Sequence, residues 1–540
     1  MPDRSIPDRP DLSQYRKQAK ELLHAARAGE SSALARIYKH HPRLHELTPE
    51  EMRNHKLALA DAQLVIAREH GFASWPAFQN QVEHLRMIRS VEENGAPADA
   101  FIKAACVDRH SWHGGGTLEH AQTLLAKYPE IAAANIYCAV VLGDEVAVRN
   151  WLARDHELAV AKGGPHGWDA LTYLCFSRYL RIDKDRSEKF AACARALLER
   201  GANANTGWME EIDTPPRKII ESAIYGAAGI AQSIPVTQVL LEFGADPNDE
   251  ETPYHVAETY DNDVLKVLLR SGRLNERSLA TVAIRKCDWH DNAGLLLALE
   301  HGANPNFMTV WKHTPLHQSI RRNNGLVMIE QLLDHGADPL IANTLDGRNA
   351  FQMAAYHGRG DILDAFVRRG FGYEMRGMDA LAAACARGDE GAARAALAGS
   401  PELGGRLIAM GGTLLAHFAG AGNDAGVRML IALGVSPNAV WNSGDGYWDL
   451  TLGSTALHVA AWRANHQVVA TLIAAGSDVN ARDARGRTAL QLAVKACTDS
   501  HWKYRRKPDS VAALLAAGAT KGGVELPTGF DAIDQLLMRE

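Results

Sequence analysis

The feature that most constrains this chain is a turn that recurs after leucine-rich stretches. It reads Gly201-Ala-Asn-Ala-Asn205, Gly244-Ala-Asp-Pro-Asn248, Gly302-Ala-Asn-Pro-Asn306, Gly336-Ala-Asp-Pro339, Gly434-Val-Ser-Pro-Asn438 and Gly476-Ser-Asp-Val-Asn480. Each glycine stands where a helix must end in the left-handed region. The Asp or Asn beside it holds the next turn through its own side chain. Helix openings follow at Thr252-Pro-Tyr-His255, Thr314-Pro-Leu-His317 and Thr455-Ala-Leu-His458. There Thr caps the first backbone donors, and Pro at the first helical position has no donor to leave unpaired. A chain punctuated in this way stacks short helix pairs, and added length adds units instead of enlarging one core. The 540 residues point the same way, because a single core stops growing at roughly 250–300 residues.

These turns and openings resemble the ankyrin repeat, a β-turn plus two antiparallel helices with a period of about 33 residues. Gly302 to Gly336 is near that length. Gly201 to Gly244 and Gly434 to Gly476 are longer and mark insertions. Between Gly336 and Gly434 the signature weakens, and Gly370 and Gly399 keep the beat. The resemblance covers more than three quarters of the chain and implies an all-α solenoid. About twelve units, several degenerate, are expected from Ala98 to Lys521. Residues 1–10 read as a disordered tail and 11–97 as a helical cap. The block closing on Trp75 resembles the leader of a group of bacterial ankyrin-repeat proteins. Residues 522–540, with Thr528, Ile533 and Leu537, read as a short capping helix over the last repeat.

Composition excludes several partners. The 58 basic and 64 acidic residues leave a net charge of −6, with no basic footprint for nucleic acid and no polybasic membrane patch. No stretch reaches the roughly 18 apolar residues of a membrane span. The polar, proline-broken start MPDRSIPDRP is not a secretory signal. Seven scattered cysteines, none in a Cys-x-x-Cys pair, read as small buried apolar groups. A cytoplasmic chain is expected.

Eleven tryptophans are out of pattern in a chain otherwise rich in small residues. Trp75 and Trp151 read as packing. Most others fall in insertions or predicted groove positions. The resemblance places exposed concave positions just after the Ala-Ala pair of each first helix. Here these are Phe176-Ser177, Gly229-Ile230, Thr259-Tyr260, Asp288-Trp289, Arg321-Arg322, Tyr356-His357 and Trp462-Arg463. Insertions add Trp208 beside Glu210, Glu211 and Asp213, Trp441 and Trp448 around Asp445 and Tyr447, and Trp112 between His110 and His113. Aromatic and arginine side chains concentrate binding energy. The expected binding set is therefore Trp208, Tyr260, Asp288, Trp289, Arg321, Arg322, Trp441, Trp448 and Trp462.

Two functions follow. The first is a scaffold or adaptor that holds a protein partner on the concave face and the tryptophan-bearing fingers. The second is an enzyme or small-molecule receptor, with a carbohydrate as one ligand class. Its acid–base carboxylates would be Asp288, Glu210, Glu211 and Asp213, since paired carboxylates perform such chemistry when one is protonated and the other ionised. The spacings Asp108/His110/His113 and Asp288/His290/Asp291 match no closed zinc motif, so no metal is expected. Gly114-Gly-Gly-Thr117 lacks the P-loop lysine, and no cofactor is expected. The fingers at 206–216 and 440–453 separate the two functions. Folded over the concave face they favour a ligand pocket, and pointing away they favour a protein partner.

Overall fold

The computed structural model describes residues 3–7, 9–42, 44, 57–108, 113–213, 216–499, 503–524 and 526–538. The chain divides into two compact units, Met1–Asp249 and Glu250–Glu540.

The first unit opens with the helices Leu12–Arg27, Ser31–His40, Leu59–Glu69 and Trp75–Asn94. Asp11 starts the first by accepting the Ser13 N–H at 2.9 Å, and left-handed Gly95 ends the fourth. Their apolar stripes close a core of their own around Tyr15, Leu22, Ile37, Ile66, Phe78 and Val82. Tyr15 meets Phe78 edge-on at 4.8 Å. Within the stretch expected as a disordered tail, Asp3 and Arg4 are held. The Arg4 N–H donates to the Glu69 carbonyl at 3.0 Å, and Asp3 pairs with His40 at 3.0 Å. The cause is Glu69, a buried carboxylate whose partners Arg4 and Arg36 clamp the tail to the helices.

From Pro97 onward, helix pairs stack. Pro97–Ala105 packs with Glu119–Lys127, Ile136–Leu142 with Glu145–Arg154, and Ala170–Cys175 with Ser187–Leu198. The π-helical turn Tyr225–Ile230 packs with Ile234–Glu242. Ala170–Cys175 is buried along its whole length. Asp169 caps it, accepting the Thr172 N–H at 2.9 Å. The strands Gly207–Asp213 and Pro216–Ser222 form an antiparallel hairpin between two pairs.

In the second unit the first helices include Glu276–Asp288, Pro315–Arg321, Ala350–Tyr356, Met378–Arg387, Glu402–Ala421, Ala456–Trp462 and Ala489–Asp499. The second helices include Asp263–Arg270, Asn292–Glu300, Leu326–Asp334, Gly360–Arg368, Asp424–Ala432, His466–Ala474 and Asp509–Ala516. First helices pack on first helices and second on second. Asp263–Arg270 shows why: Val264, Leu265, Leu268 and Leu269 make one buried stripe, and each such side chain contributes about 2 kcal/mol on burial. The last helix, Asp531–Met538, buries Ile533 and Leu537, and Thr528 Oγ1 donates to Asp534 at 2.6 Å.

The recurring turn has a second job beyond ending a helix. Its final asparagine reaches forward to the next repeat. Asn306 Nδ2 donates to the Gly336 carbonyl at 2.8 Å while its Oδ1 accepts the Asp338 N–H at 2.8 Å. Asn438 does the same with Gly476 and Asp478, and Asn480 with Gly518 and Thr520. The openings behave as capping boxes at Thr314/His317 and Thr455/His458. Thr252 differs: its helix begins at Glu251, so Thr252 lies inside it, buried.

Candidate functional site

In the first unit the hairpin brings Trp208 inward. Gly207 allows it, because a Cβ there would lie 2.2 Å from the Glu221 carbonyl oxygen. Trp208 stacks on Trp168 with centroids 4.3 Å apart and planes 13° apart. Phe176 meets it edge-on at 4.1 Å. His113 closes the cluster, with Nδ1 3.0 Å from the Tyr225 hydroxyl. Trp208, expected on an exposed finger, is therefore a buried packing group. Glu211 faces solvent, paired with Lys218 at 2.6 Å. That lysine holds its carboxyl below the usual range. Glu210 pairs across the hairpin with Ile219, and Asp213 with Pro216. The Asp213 side chain, His110 and Trp112 lie outside the described residues.

The second unit carries the denser arrangement. Asp288 closes the helix Glu276–Asp288 and is 5% exposed. Its carboxylate accepts from Arg285 at 2.5 Å, from Arg322 Nε at 2.6 Å and from Gln318 at 2.5 Å. Arg285 extends its other nitrogen to Glu258, whose carboxylate meets His255 at 2.7 Å. His255 also meets Glu251 at 3.1 Å. Burial alone would raise Glu258, but His255 and Arg285 outweigh it and hold it low. Burial depresses His255, while hydrogen bonds to Glu251 and Glu258 prevail and raise it to about 9. A continuous chain of alternating charge thus runs across the first helices. Asp288 is fully engaged in it, which differs from the free acid–base group expected from sequence.

The finger 440–453 folds onto this face. Its root is the pair Val440↔Thr455 and Trp441↔Ser454. Gly412, in the middle of Glu402–Ala421, lets it approach: a Cβ there would lie 2.0 Å from the Val440 carbonyl oxygen. Asp445 and Leu450 exchange backbone hydrogen bonds of 2.8 and 3.0 Å. Asp449 anchors the far side through Arg487 at 2.7 Å and Lys495 at 3.0 Å. At the tip, the Tyr447 hydroxyl donates to the Asp288 carbonyl at 3.2 Å, and Arg322 lies 3.5 Å over its ring. Burial pushes Tyr447 up to about 12.

Trp441, Trp448 and Trp462 form one buried cluster with Ala416, Leu450, Val459 and Leu492. Arg463 sits 4.2 Å over Trp448. These three tryptophans were expected to face a partner. They pack the finger onto its own array, because an insertion carrying that much apolar surface is stable only when it is covered. Among the remaining expected residues, Arg322 is buried, Arg321 is exposed, and Tyr260 is 55% exposed with Trp289 against it edge-on at 5.7 Å. Thus Asp288, Arg322, Trp441, Trp448 and Trp462 share one assembly in the second unit. Trp208, Glu210 and Glu211 belong to the first. Asp291, drawn from sequence as a possible metal ligand, instead caps Gly294 at 3.0 Å and pairs with Lys286 at 2.9 Å. Among the described residues no three His, Cys, Asp or Glu side chains converge as a metal site, and no helix is long and apolar enough to cross a membrane.

Beneath the finger lies a cavity of about 650 Å³, lined in part by Arg321, Arg463, His357, His417, Trp441 and Asp445. His357 and His417 stack at 4.3 Å with planes 4° apart. Sequence reading missed His417 and Tyr447 as site residues. The signal that could have found them is Gly411-Gly412 inside an Ala- and Leu-rich helix, since such glycines mark a close backbone approach.

Models of ankyrin repeats match residues 281–375 (three copies) and 448–493 (many copies). A crystal structure of the human ASB11 ankyrin repeat domain aligns with 50% of this chain and 98% of that one, at 20% identity and a TM-score of 0.22. The two matched segments hold Thr314/His317 and Thr455/His458, whose capping boxes open the first helices, and the left-handed Gly302, Gly336 and Gly476 that end the second. With the inter-repeat asparagine bonds and the stacked helix pairs, the two ankyrin-model matches make the chain an ankyrin-repeat protein of the all-α solenoid class.

Proposed function

We propose that the chain is a binding scaffold whose protein partner meets the finger tips of the second unit, and not the buried Trp208, Trp441, Trp448 and Trp462. Ankyrin repeats are generally protein–protein interaction modules. The observation that carries the reading is a row of exposed apolar side chains on successive fingers. Val310 is 62% exposed, Trp311 39% and Leu345 60%. The Thr344 N–H donates to the Lys312 carbonyl at 3.2 Å, so the two fingers are tied side by side. Exposed apolar side chains gathered in this way mark interaction surfaces. The acid–base reading loses support, because Asp288 already serves two arginines and a glutamine.

The test is site-specific photocrosslinking in extract of the cells that make the protein. A photoreactive residue at Leu345 should give one discrete adduct that Trp311→Glu abolishes. The same group at Val146, exposed in the first unit, should give none. Equal adducts from both positions, or an adduct indifferent to Trp311→Glu, would refute the reading.

A further inference from the structure

We propose that the cavity under the finger 440–453 binds a small organic oxyanion, a carboxylate or phosphate carried on a ring or hydroxylated body. This site is separate from the finger-tip surface and stands without it. Size is the first argument. At about 650 Å³ the cavity falls within the roughly 300–1,000 Å³ of small-molecule sites, and the finger walls one side of it with Trp441, Asp445 and Tyr447.

Charge is the second argument. Two carboxylates, Asp346 and Asp445, line the cavity. Asp346 is committed to Arg348 at 3.1 Å and to Asn343 at 2.8 Å. Asp288, on the same face, is committed to Arg285 and Arg322. That leaves Asp445 opposite both Arg321 and Arg463. Asp445 is also approached by Arg322 at 4.0 Å. The positive charge at the cavity therefore exceeds the negative. The arginines register this in part: loss of solvent at the guanidinium, then the neighbouring Arg322, lowers Arg321 although the residue keeps an exposed surface, and burial lowers Arg463 to about 9. The histidine pair registers it as well. Burial, the other ring and the nearby arginines depress His357, and burial takes His417 down to about 4. Both rings are neutral at pH 7 and add no competing cation. They offer ring nitrogens to a ligand's hydroxyl groups.

Donor chemistry is the third argument. Guanidinium groups match the geometry of carboxylates and phosphates with paired N–H donors. The indole N–H of Trp441, a buried residue, has no hydrogen-bond acceptor among the described residues. Trp441 lines the cavity beside Arg463 and His417, so it supplies a neutral donor and an apolar wall. Two cationic forks, an indole donor and neutral imidazoles suit an oxyanion with a polar or flat body. An uncharged sugar would leave the positive excess of the lining unmatched.

The experiment is calorimetric titration of the full chain, with tryptophan fluorescence in parallel. The probes are inorganic phosphate, glucose 6-phosphate, glucuronate, citrate and AMP, with glucose and adenosine as uncharged counterparts. At least one anion should saturate in the micromolar to low millimolar range while its uncharged counterpart does not. Arg321→Gln, at an exposed side chain, should weaken that anion at least roughly tenfold without changing the thermal transition. Trp441→Phe should remove most of the fluorescence response. Arg463 is buried, so Arg463→Gln is read only if the folded transition survives. Failure of every anion to saturate would overturn the proposal. So would equal binding of glucose or adenosine, or an Arg321→Gln protein that binds as tightly as the parent. None of these outcomes bears on the photocrosslinking at Leu345.

Discussion

Asp288→Asn tests whether the centre of the second unit is a structural ion cluster or an available acid. The substitution keeps the side chain's shape, so it opens no cavity. It removes the negative charge that Arg285 and Arg322 share. Arg285 keeps Glu258. Arg322 is left with Asp445 at 4.0 Å and the face of Tyr447. Removing one partner of a buried ion pair costs about 3–5 kcal/mol. The surviving Glu258 contact places this case near the lower end, at about 3 kcal/mol. In a repeat array the loss is felt locally, so native-state hydrogen exchange is the assay. Protection of the Ala283–Asp288 amides should fall by about a hundredfold, since each 1.36 kcal/mol is a factor of about ten. Adding Arg322→Met should restore part of the loss, because both members of the pair are then gone. A fall of less than about threefold would refute the reasoning. It would mean that water reaches the carboxylate and that Asp288 is again a candidate acid–base group.

Four further outcomes follow from the same geometry. Gly412→Ala places a methyl group on the Val440 carbonyl, so it should displace the finger root, red-shift tryptophan emission and cost about 1–3 kcal/mol. Gly405→Ala in the same helix meets nothing within 4 Å and should stabilise by up to about 1 kcal/mol, as urea titration of the two variants would show. His255, raised to about 9, binds its proton more tightly in the folded state. Its contribution is therefore complete below about pH 6.5, its unfolded value, and is lost as pH rises through about 9. NMR titration of its ring, and a flatter stability profile for His255→Gln, would check this. All seven cysteines are buried, so a thiol reagent should react with the native chain only as fast as it opens, and burst labelling of any of them would contradict the packing.

The parts of this fold legible in the sequence are those decided within a few residues. Gly302 and Gly336 sit at φ of 90° and 87°, a conformation that costs other residues strain. The glycine therefore declares the helix end. Thr314 and His317 cap each other across three residues, and that spacing is visible in the chain. The inter-repeat bond of Asn306 to Gly336 spans 30 residues, and it is not legible in the chain: the recurring asparagine is visible, its partner is not.

The finger was not legible for the opposite reason. Tyr447 and Asp288 are 159 residues apart, and no local pattern pairs them. Tryptophans in an insertion read as exposed if the insertion is assumed to project, and as core if it folds back. Trp441 and Trp448 alone do not decide between these. The deciding residue is Gly412, on a different helix, which has no side chain where Val440 passes. Once the finger lies on that helix, burial of Trp448 and Trp462 follows from their apolar area. The arginines follow in turn. Arg322 and Arg463 lie against Tyr447 and Trp448, where a guanidinium is stabilised by the ring faces. They are aligned by aromatic groups that the insertion delivered. The same step walls one side of the cavity, so the anion site and the burial of the tryptophans are two consequences of one backbone contact. Gly412→Ala should therefore weaken any oxyanion that the cavity holds, without touching a residue that lines it.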